Sequence, residues 1–190
     1  QVVKTLTNAM ENLHKKEKLE HMNQILSDLY VRDSVTGLYN RMGYQKLSIS
    51  YFTIMREKKM PVLVMFIDFD RVKFINDTFG HEYGDFAIIS IAKAMLKHCD
   101  ADAIAARTGG DEFIVLEGAK DEESGRVLAQ KIRTELSKAQ RSMQLPFDLS
   151  ASIGAVVAHP GEENVLESYV KRAEMLMYEE KAEKKVSRDS

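Results

Sequence analysis

The chain has 190 residues, 44% hydrophobic and 29% charged, with 27 Lys and Arg against 29 Asp and Glu. That length suits one hydrophobic core with a short appendage and excludes two full domains. A formal charge of −2 excludes a broad electrostatic case for nucleic acid, and the lone Cys99 excludes an intrachain disulfide and suits a reducing compartment.

No run approaches the roughly 18 consecutive apolar residues of a membrane span, so no membrane contact is expected of this segment. The start at Gln1 rather than Met points to a piece of something longer. Residues 1–32 hold no Gly or Pro and place Leu6, Met10 and Leu13, then Leu19, Met22, Leu26 and Leu29, at helical steps. The two stripes are offset by one residue, so a continuous coiled coil would meet a stammer near residues 15–18. A linker helix that pairs with a copy of itself is one reading; a lone helix packing its Leu stripe on the domain that follows is the other.

From Asp33 the pattern turns to Asp33-Ser34-Val35-Thr36-Gly37, and a helix is predicted from residue 40 to about 58, closed by Pro61. Val62-Leu63-Val64-Met65-Phe66-Ile67 predicts a strand buried on both faces, ending abruptly in Asp68-Phe69-Asp70. Phe86, Ile88, Ile89, Ala92, Met95 and Leu96 predict a further helix, with Cys99 a buried residue at its end. Residues 103–106 and 113–116 flank Thr108-Gly109-Gly110-Asp111 and predict a hairpin with a Gly-Gly turn, for which Arg107 is a brace. A helix at about 122–138 follows. Then comes a strand alternating Leu149, Ala151, Ile153, Ala155 and Val157 against Ser150, Ser152 and Gly154. The last helix carries Val165, Leu166, Tyr169, Val170, Ala173, Leu176 and Met177 on one face. The fold class is therefore α/β of the α+β type, with a mixed central sheet flanked by helices. The domains are a helical linker at 1–32 and one domain at 33–190.

Acidic residues stand at two abrupt strand ends, Asp68 after one strand and Asp111 with Glu112 at the hairpin; if those strands are neighbours, the carboxylates converge. Oxygen ligands of this kind suit Mg²⁺, which takes one or two carboxylates and completes its shell with waters and phosphates. Each acid alone has an ordinary alternative. Asp68 or Asp70 can cap the next helix, acids are common in turns, and Glu112 can be a solvated strand residue.

Gly109-Gly110-Asp111-Glu112-Phe113 spells the signature of the GGDEF diguanylate cyclase family. Asp33 through Arg41 resembles the family's D-x-L-T-G-L-x-N-R, and Asp68 through Asp85 resembles its D-x-D-x-F-K-x-x-N-D-x-x-G-H-x-x-G-D. Lys171-Arg172-Ala173-Glu174 with Tyr178 and Lys181 resembles its closing R-A-D-x-A-L-Y-x-A-K helix. The likeness runs over residues 33–185, in order.

The resemblance implies a palm like that of nucleotidyl cyclases and a homodimer that condenses two GTP into cyclic di-GMP and pyrophosphate, each 3′-hydroxyl attacking the other's α-phosphorus. It implies two Mg²⁺ ions per site, with Mn²⁺ an acceptable substitute, held by Asp68, Asp111, Glu112 and the carbonyl of Phe69. Catalysis falls to Glu112, as general base or ligand, and to Asp111. Substrate binding falls to Gly110, to backbone N–H groups at Arg71 and Val72, and to Asn76 and Asp85, which read guanine. A carboxylate accepts from guanine N1–H and N2–H₂ together, so Asp85 favours two guanines. Lys181 and Lys185 would meet the terminal phosphates, although Lys184 and Lys185 also read as a solvated helix end. GTP as substrate places the domain in the cytoplasm, and an upstream sensor domain in the parent protein is expected; that parent can be membrane-anchored.

Departures from the pattern are Val72 for Phe, Thr108 for an aromatic, and Glu174 for Asp, the last expected to lengthen a helix-anchoring hydrogen bond. The family's inhibitory R-x-x-D falls on Asp100 and Ala103, with Asp102 out of register, so product feedback there is expected to be absent. His81 is assigned a structural role, tying its loop through ring hydrogen bonds. Two further readings stand beside it: a catalytically weak or inactive GTP-binding regulatory module, kept open by Val72 and Thr108, and a dimerisation unit without nucleotide.

Overall fold

The computed structural model describes residues 13–19, 22, 30–162 and 165–189. Four strands, β1 (Val62–Phe69), β2 (Ile104–Arg107), β3 (Glu112–Gly118) and β4 (Ala151–Ala158), form one sheet in the order β2-β3-β1-β4. Helices α1 (Arg41–Glu57), α2 (Val72–Phe79), α3 (His81–His98), α4 (Ser124–Ser142) and α5 (Leu166–Asp189) cover it. The sheet expected to be mixed is antiparallel in all three ladders, and the parallel pairing is confined to an isolated bridge between Tyr39 and Ala106. The reason is topological. The crossover through α2 and α3 lays β2 parallel to β1, but the hairpin returns β3 into the space between them, which makes a split β-α-β arrangement.

Alternation along β1 divides the core. Leu63, Met65, Ile67 and Phe69 meet α2, α3 and α4 on one face, with Phe113, Val115 and Ile132. Val62, Val64 and Phe66 meet α1 and α5 on the other, with Phe52, Tyr169, Ala173 and Met177. Both faces are covered, so β1 is buried along its whole length, as its unbroken apolar run predicts.

Asn40 caps α1 through its side chain, which accepts from the Gly43 N–H at 2.9 Å. The hairpin forms between the expected strands, but neither of its glycines has positive φ. The loop is wider than a two-residue turn, with Thr108 and Gly109 N–H both donating to the Glu112 carbonyl. The fourth helix runs to Ser142 rather than 138. On α5 the inward face is Leu166, Tyr169, Ala173 and Met177, whereas Val165, just before the helix, and Leu176, both expected inside, are exposed. Cys99 ends α3 half-buried, and burial pushes its thiol up to about 12.

At the N-terminus residues 13–19 are helical, with Leu13, Leu19 and Met22 exposed. Leu6, Met10, Leu26 and Leu29 lie outside the described residues. Among the described residues no helix is long and apolar enough to cross a membrane.

Candidate functional site

Register places the acids. Asp68 pairs with Glu112 on β3 and with Ser152 on β4, so the three side chains form one row on the α5 face at the end of the sheet. Next in the chain, the Phe69 N–H donates to the Asp111 carbonyl at 2.9 Å, which brings the hairpin loop against the end of β1. The Phe69 carbonyl lies on the same strand edge as its N–H. The strands carrying Asp68 and Asp111-Glu112 are thus neighbours, and the acids converge.

Over this row lies α5. Lys181 Nζ donates to Asp68 Oδ1 at 2.6 Å. Asp68 is only 5% exposed; burial pushes its carboxyl above the usual range, and the Lys181 ammonium offsets only part of that. Burial, then the negative charges of Asp111, Asp68 and Glu174, also raise Glu112. Glu174 accordingly acts on the site as charge; it makes no hydrogen bond among the described residues, and the helix anchor expected of it is supplied elsewhere.

That anchor was not foreseen. Asp70, 4% exposed, does not cap α2, whose N-cap is Arg71 with φ 66° and no side-chain cap. It accepts instead from Ser150 Oγ and Ser152 Oγ at 2.7 Å each, and from Lys184 Nζ at 3.3 Å. Burial would raise this carboxyl, but the two hydroxyls and Lys184 outweigh it and hold it below the ordinary value. Ser152, read from alternation as opposite the apolar face, is fully buried because α5 covers that face as well. Lys184 is half-buried in this network rather than solvated, while its neighbour Lys185 is exposed.

The hairpin loop is braced by Arg107, as expected: its Nη2 donates to the Gly110 carbonyl at 2.7 Å and its Nη1 reaches Asp33 at 3.3 Å. Asp33 in turn accepts from Thr36 N–H and Oγ1, so the turn that opens the domain is tied to the signature loop. The two glycines differ. A Cβ on Gly109 would stand 2.6 Å from Glu112 Oε2, whereas a Cβ on Gly110 would meet nothing within 4 Å. Gly109→Ala is therefore expected to displace Glu112 with no ligand present, and Gly110→Ala to leave the fold untouched and act only when something approaches the loop. Thermal melts beside nucleotide titrations of both variants check this; a Gly110→Ala melt lowered as much as that of Gly109→Ala would refute it.

On the other side of the β1 end, Arg71 stacks its guanidinium 3.9 Å over the Phe74 ring, and Val72 packs against the core. Asn76 lies against Gly84, where any Cβ would meet its Oδ1 at 1.9 Å, and that Oδ1 is buried with no hydrogen-bond partner among the described residues. Asp85, next to Gly84, is exposed. The closeness required of Gly84 juxtaposes Asn76 and Asp85 across α2 and α3. His81 is exposed in the first turn of α3 and its ring makes no hydrogen bond among the described residues, so it does not tie the loop. At the R-x-x-D positions, the Asp100 N–H donates to buried Glu117 at 3.0 Å.

Among the described residues no three acidic, His or Cys side chains form a ready-made metal cage. The donor set still fits a hard divalent cation: oxygen ligands only, two of them raised by burial and by neighbouring acids, and an ammonium already seated on Asp68 where positive charge is wanted. Such a site can hold a cation-bound phosphate chain at the strand ends and a polar planar group between α2 and α3.

The family model "Diguanylate cyclase, GGDEF domain" matches residues 30–187. Diguanylate cyclase VdcA of Vibrio cholerae is 35% identical over 153 residues, covering 78% of this chain and 43% of that protein. The bifunctional diguanylate cyclase/cyclic di-GMP phosphodiesterase MucR of Pseudomonas aeruginosa is 30% identical over 164 residues, covering 86% and 24%. The chain thus spans less than half of either relative. The coiled coil and GGDEF domain of DgcB from Caulobacter crescentus, solved with c-di-GMP, superposes with a TM-score of 0.77 at 22% identity over 93% of each chain, a likeness of fold.

Proposed function

The chain belongs to the GGDEF diguanylate cyclase family, and from that membership and the site geometry we propose that it condenses two GTP into cyclic di-GMP. Each 3′-hydroxyl forms a bond to the α-phosphorus of the other nucleotide, and each α-phosphorus loses pyrophosphate. The observation that carries this reading is the register Asp68↔Glu112, which sets both acids and the Asp111 loop at one end of adjacent strands beneath Lys181.

Asp68, Asp111, Glu112 and the Phe69 carbonyl would hold two Mg²⁺ per site, with Mn²⁺ as a substitute. When bound, such ions offset the charge developing on the phosphates and lower the pKa of the attacking hydroxyl. Glu112, opposite Asp68 across the β1–β3 pair, is placed to receive the hydroxyl proton. Lys181 moves from Asp68 to the terminal phosphates, where Lys185 joins it from solvent. The uncapped N–H groups of α2 at Val72 and the bare Gly110 let the phosphate chain come close. Asn76, with its unpartnered Oδ1, and Asp85 accept the guanine N–H groups.

One chain carries one half-site, so the working unit is a homodimer, and residues 1–32 pair two copies under the control of an upstream sensor. The domain works in the cytoplasm. A binding-only reading draws support from Thr108, whose Oγ1 is buried without a partner among the described residues where the family carries an aromatic.

The test is incubation of concentrated chain with GTP and Mg²⁺, with chromatographic detection of products. Wild type is expected to form cyclic di-GMP, and Glu112→Gln to bind GTP yet lose at least about 10²-fold in rate. Binding without product, persisting when the chain is fused to a strong dimeriser, establishes the regulatory module instead.

A further inference from the structure

Two lysines of α5, three residues apart and so on one face, reach the sheet end with different bonding. Lys181 Nζ has one partner among the described residues, Asp68, and its side chain is 40% exposed. Lys184 Nζ has four acceptors within reach: the Ala151 carbonyl at 2.7 Å, Glu180 at 2.7 Å, Asp70 at 3.3 Å and Ser152 Oγ at 3.4 Å. An ammonium has three protons. Those of Lys184 are committed within the protein, while Lys181 commits one to Asp68 and keeps two available.

The apolar anchoring of α5 ends before either lysine. Among the described residues its last buried hydrophobic is Met177, and Val186 further on is 68% exposed. Among the described residues, the side-chain contacts given between the helix beyond Met177 and the rest of the domain are polar. Glu180 accepts from the Ile153 N–H at 3.2 Å and from Arg133 of α4 through both oxygens at 2.8 Å. Lys184 then joins Glu180 to Asp70, which Ser150, just before β4, and Ser152 within it hold in place. Lys181 lies between Glu180 and Lys184, so its aim is set by these neighbours.

We propose that the Asp70–Lys184 pair is a latch that positions Lys181 over the strand ends and thereby sets affinity for the triphosphate, without itself touching the nucleotide. Asp70 and Lys184 are positioning residues, and the inference rests on the proposed nucleotide site. A helix end free to fray would present Lys181 only part of the time, and the loss would fall on phosphate recognition rather than on the base.

The test is a double-mutant cycle in calorimetry, using a non-hydrolysable GTP analogue with Mg²⁺ beside guanosine. Lys181→Met is expected to weaken the analogue roughly tenfold or more, as loss of a charge-assisted phosphate contact. Lys184→Met should cost nearly as much, and the double variant no more than Lys181→Met alone, with guanosine affinity unchanged throughout. Lys184→Arg should restore most of the loss. Asp70→Asn, which keeps size and its hydroxyl partners, should repeat the Lys184→Met result and serves if that variant folds poorly. Additive losses, equal loss of guanosine, or no loss in Lys184→Met and Asp70→Asn overturn the latch. A wild type that binds the analogue but makes no cyclic di-GMP overturns only the catalytic reading, since the cycle is read in binding; one that binds no analogue overturns both.

Discussion

Asp68→Asn should abolish cyclic di-GMP formation, with a rate loss of about 10³-fold or more, while leaving the melting temperature unchanged or higher. The activity half follows from position. Asp68 is the central acid of the row, between Glu112 and Ser152, and a neutral amide there removes the charge that a divalent cation needs; a 10³-fold loss corresponds to about 4 kcal/mol of barrier. The stability half runs against the usual expectation that breaking a buried ion pair is costly. That cost arises when the surviving charge stays buried. Here the buried partner is Asp68, whose carboxyl is already raised by desolvation and by Asp111 and Asp70. The survivor, Lys181, is 40% exposed and regains water. Relief of crowding should therefore match or exceed the lost pair, within about 1 kcal/mol. Product chromatography and a thermal melt on one preparation check both halves, and a melt lowered by several degrees would show that the Lys181 pair stabilises the fold.

Gly154→Ala should be the most damaging single-methyl change in the sheet. A Cβ at Gly154 would stand 1.9 Å from the Ala173 carbonyl oxygen and 2.5 Å from the Met177 nitrogen. These are the acceptor and donor of one i→i+4 bond of α5, so the methyl would wedge into a helical hydrogen bond. Neither atom is a side-chain end that can swing away, and α5 would have to lift from the sheet. Overpacking in cores costs about 1–3 kcal/mol; with a helix backbone as obstacle, about 4 kcal/mol is expected, or a fall of roughly 10 °C in a domain of this size. Lifting α5 would also withdraw Lys181, so nucleotide affinity should fall with the melt. A variant that melts as wild type would mean that α5 does not lie this close.

The contrast between these two residues marks what the sequence discloses. Asp68 is legible because it interrupts a six-residue apolar run, and the Asp111-Glu112 turn because glycines and acids cluster between two short apolar strands. Asn40, before a helical pattern, announces its own cap. Gly154 and Ser152 are not legible in this way. In an alternating strand they read as the other, less apolar face, and only the covering helix converts that face into interior. Asp70 reads as a cap for the nearer helix, since a local pattern has no means of expressing partners 80 to 114 residues away. The sheet was expected to be mixed for a similar reason: alternating element types fix the crossover but not that the hairpin folds back between its strands. Gly84 and Asn76 were matched one by one to a family pattern, yet the steric demand that joins them exists only between packed helices.

The polar groups of α5 also bear on how this protein behaves when crowded. β4 is an outer strand, and the backbone groups on its open side are a template on which a foreign strand could assemble. Glu180 occupies the N–H of Ile153 and Lys184 the carbonyl of Ala151, so one stretch of that side is filled by charged side chains. The opposite outer strand is closed by main chain: Tyr39 donates to the Ala105 carbonyl and accepts from the Arg107 N–H. Among the described residues both outer strands thus have guarded margins, which oppose aggregation through stacked strands.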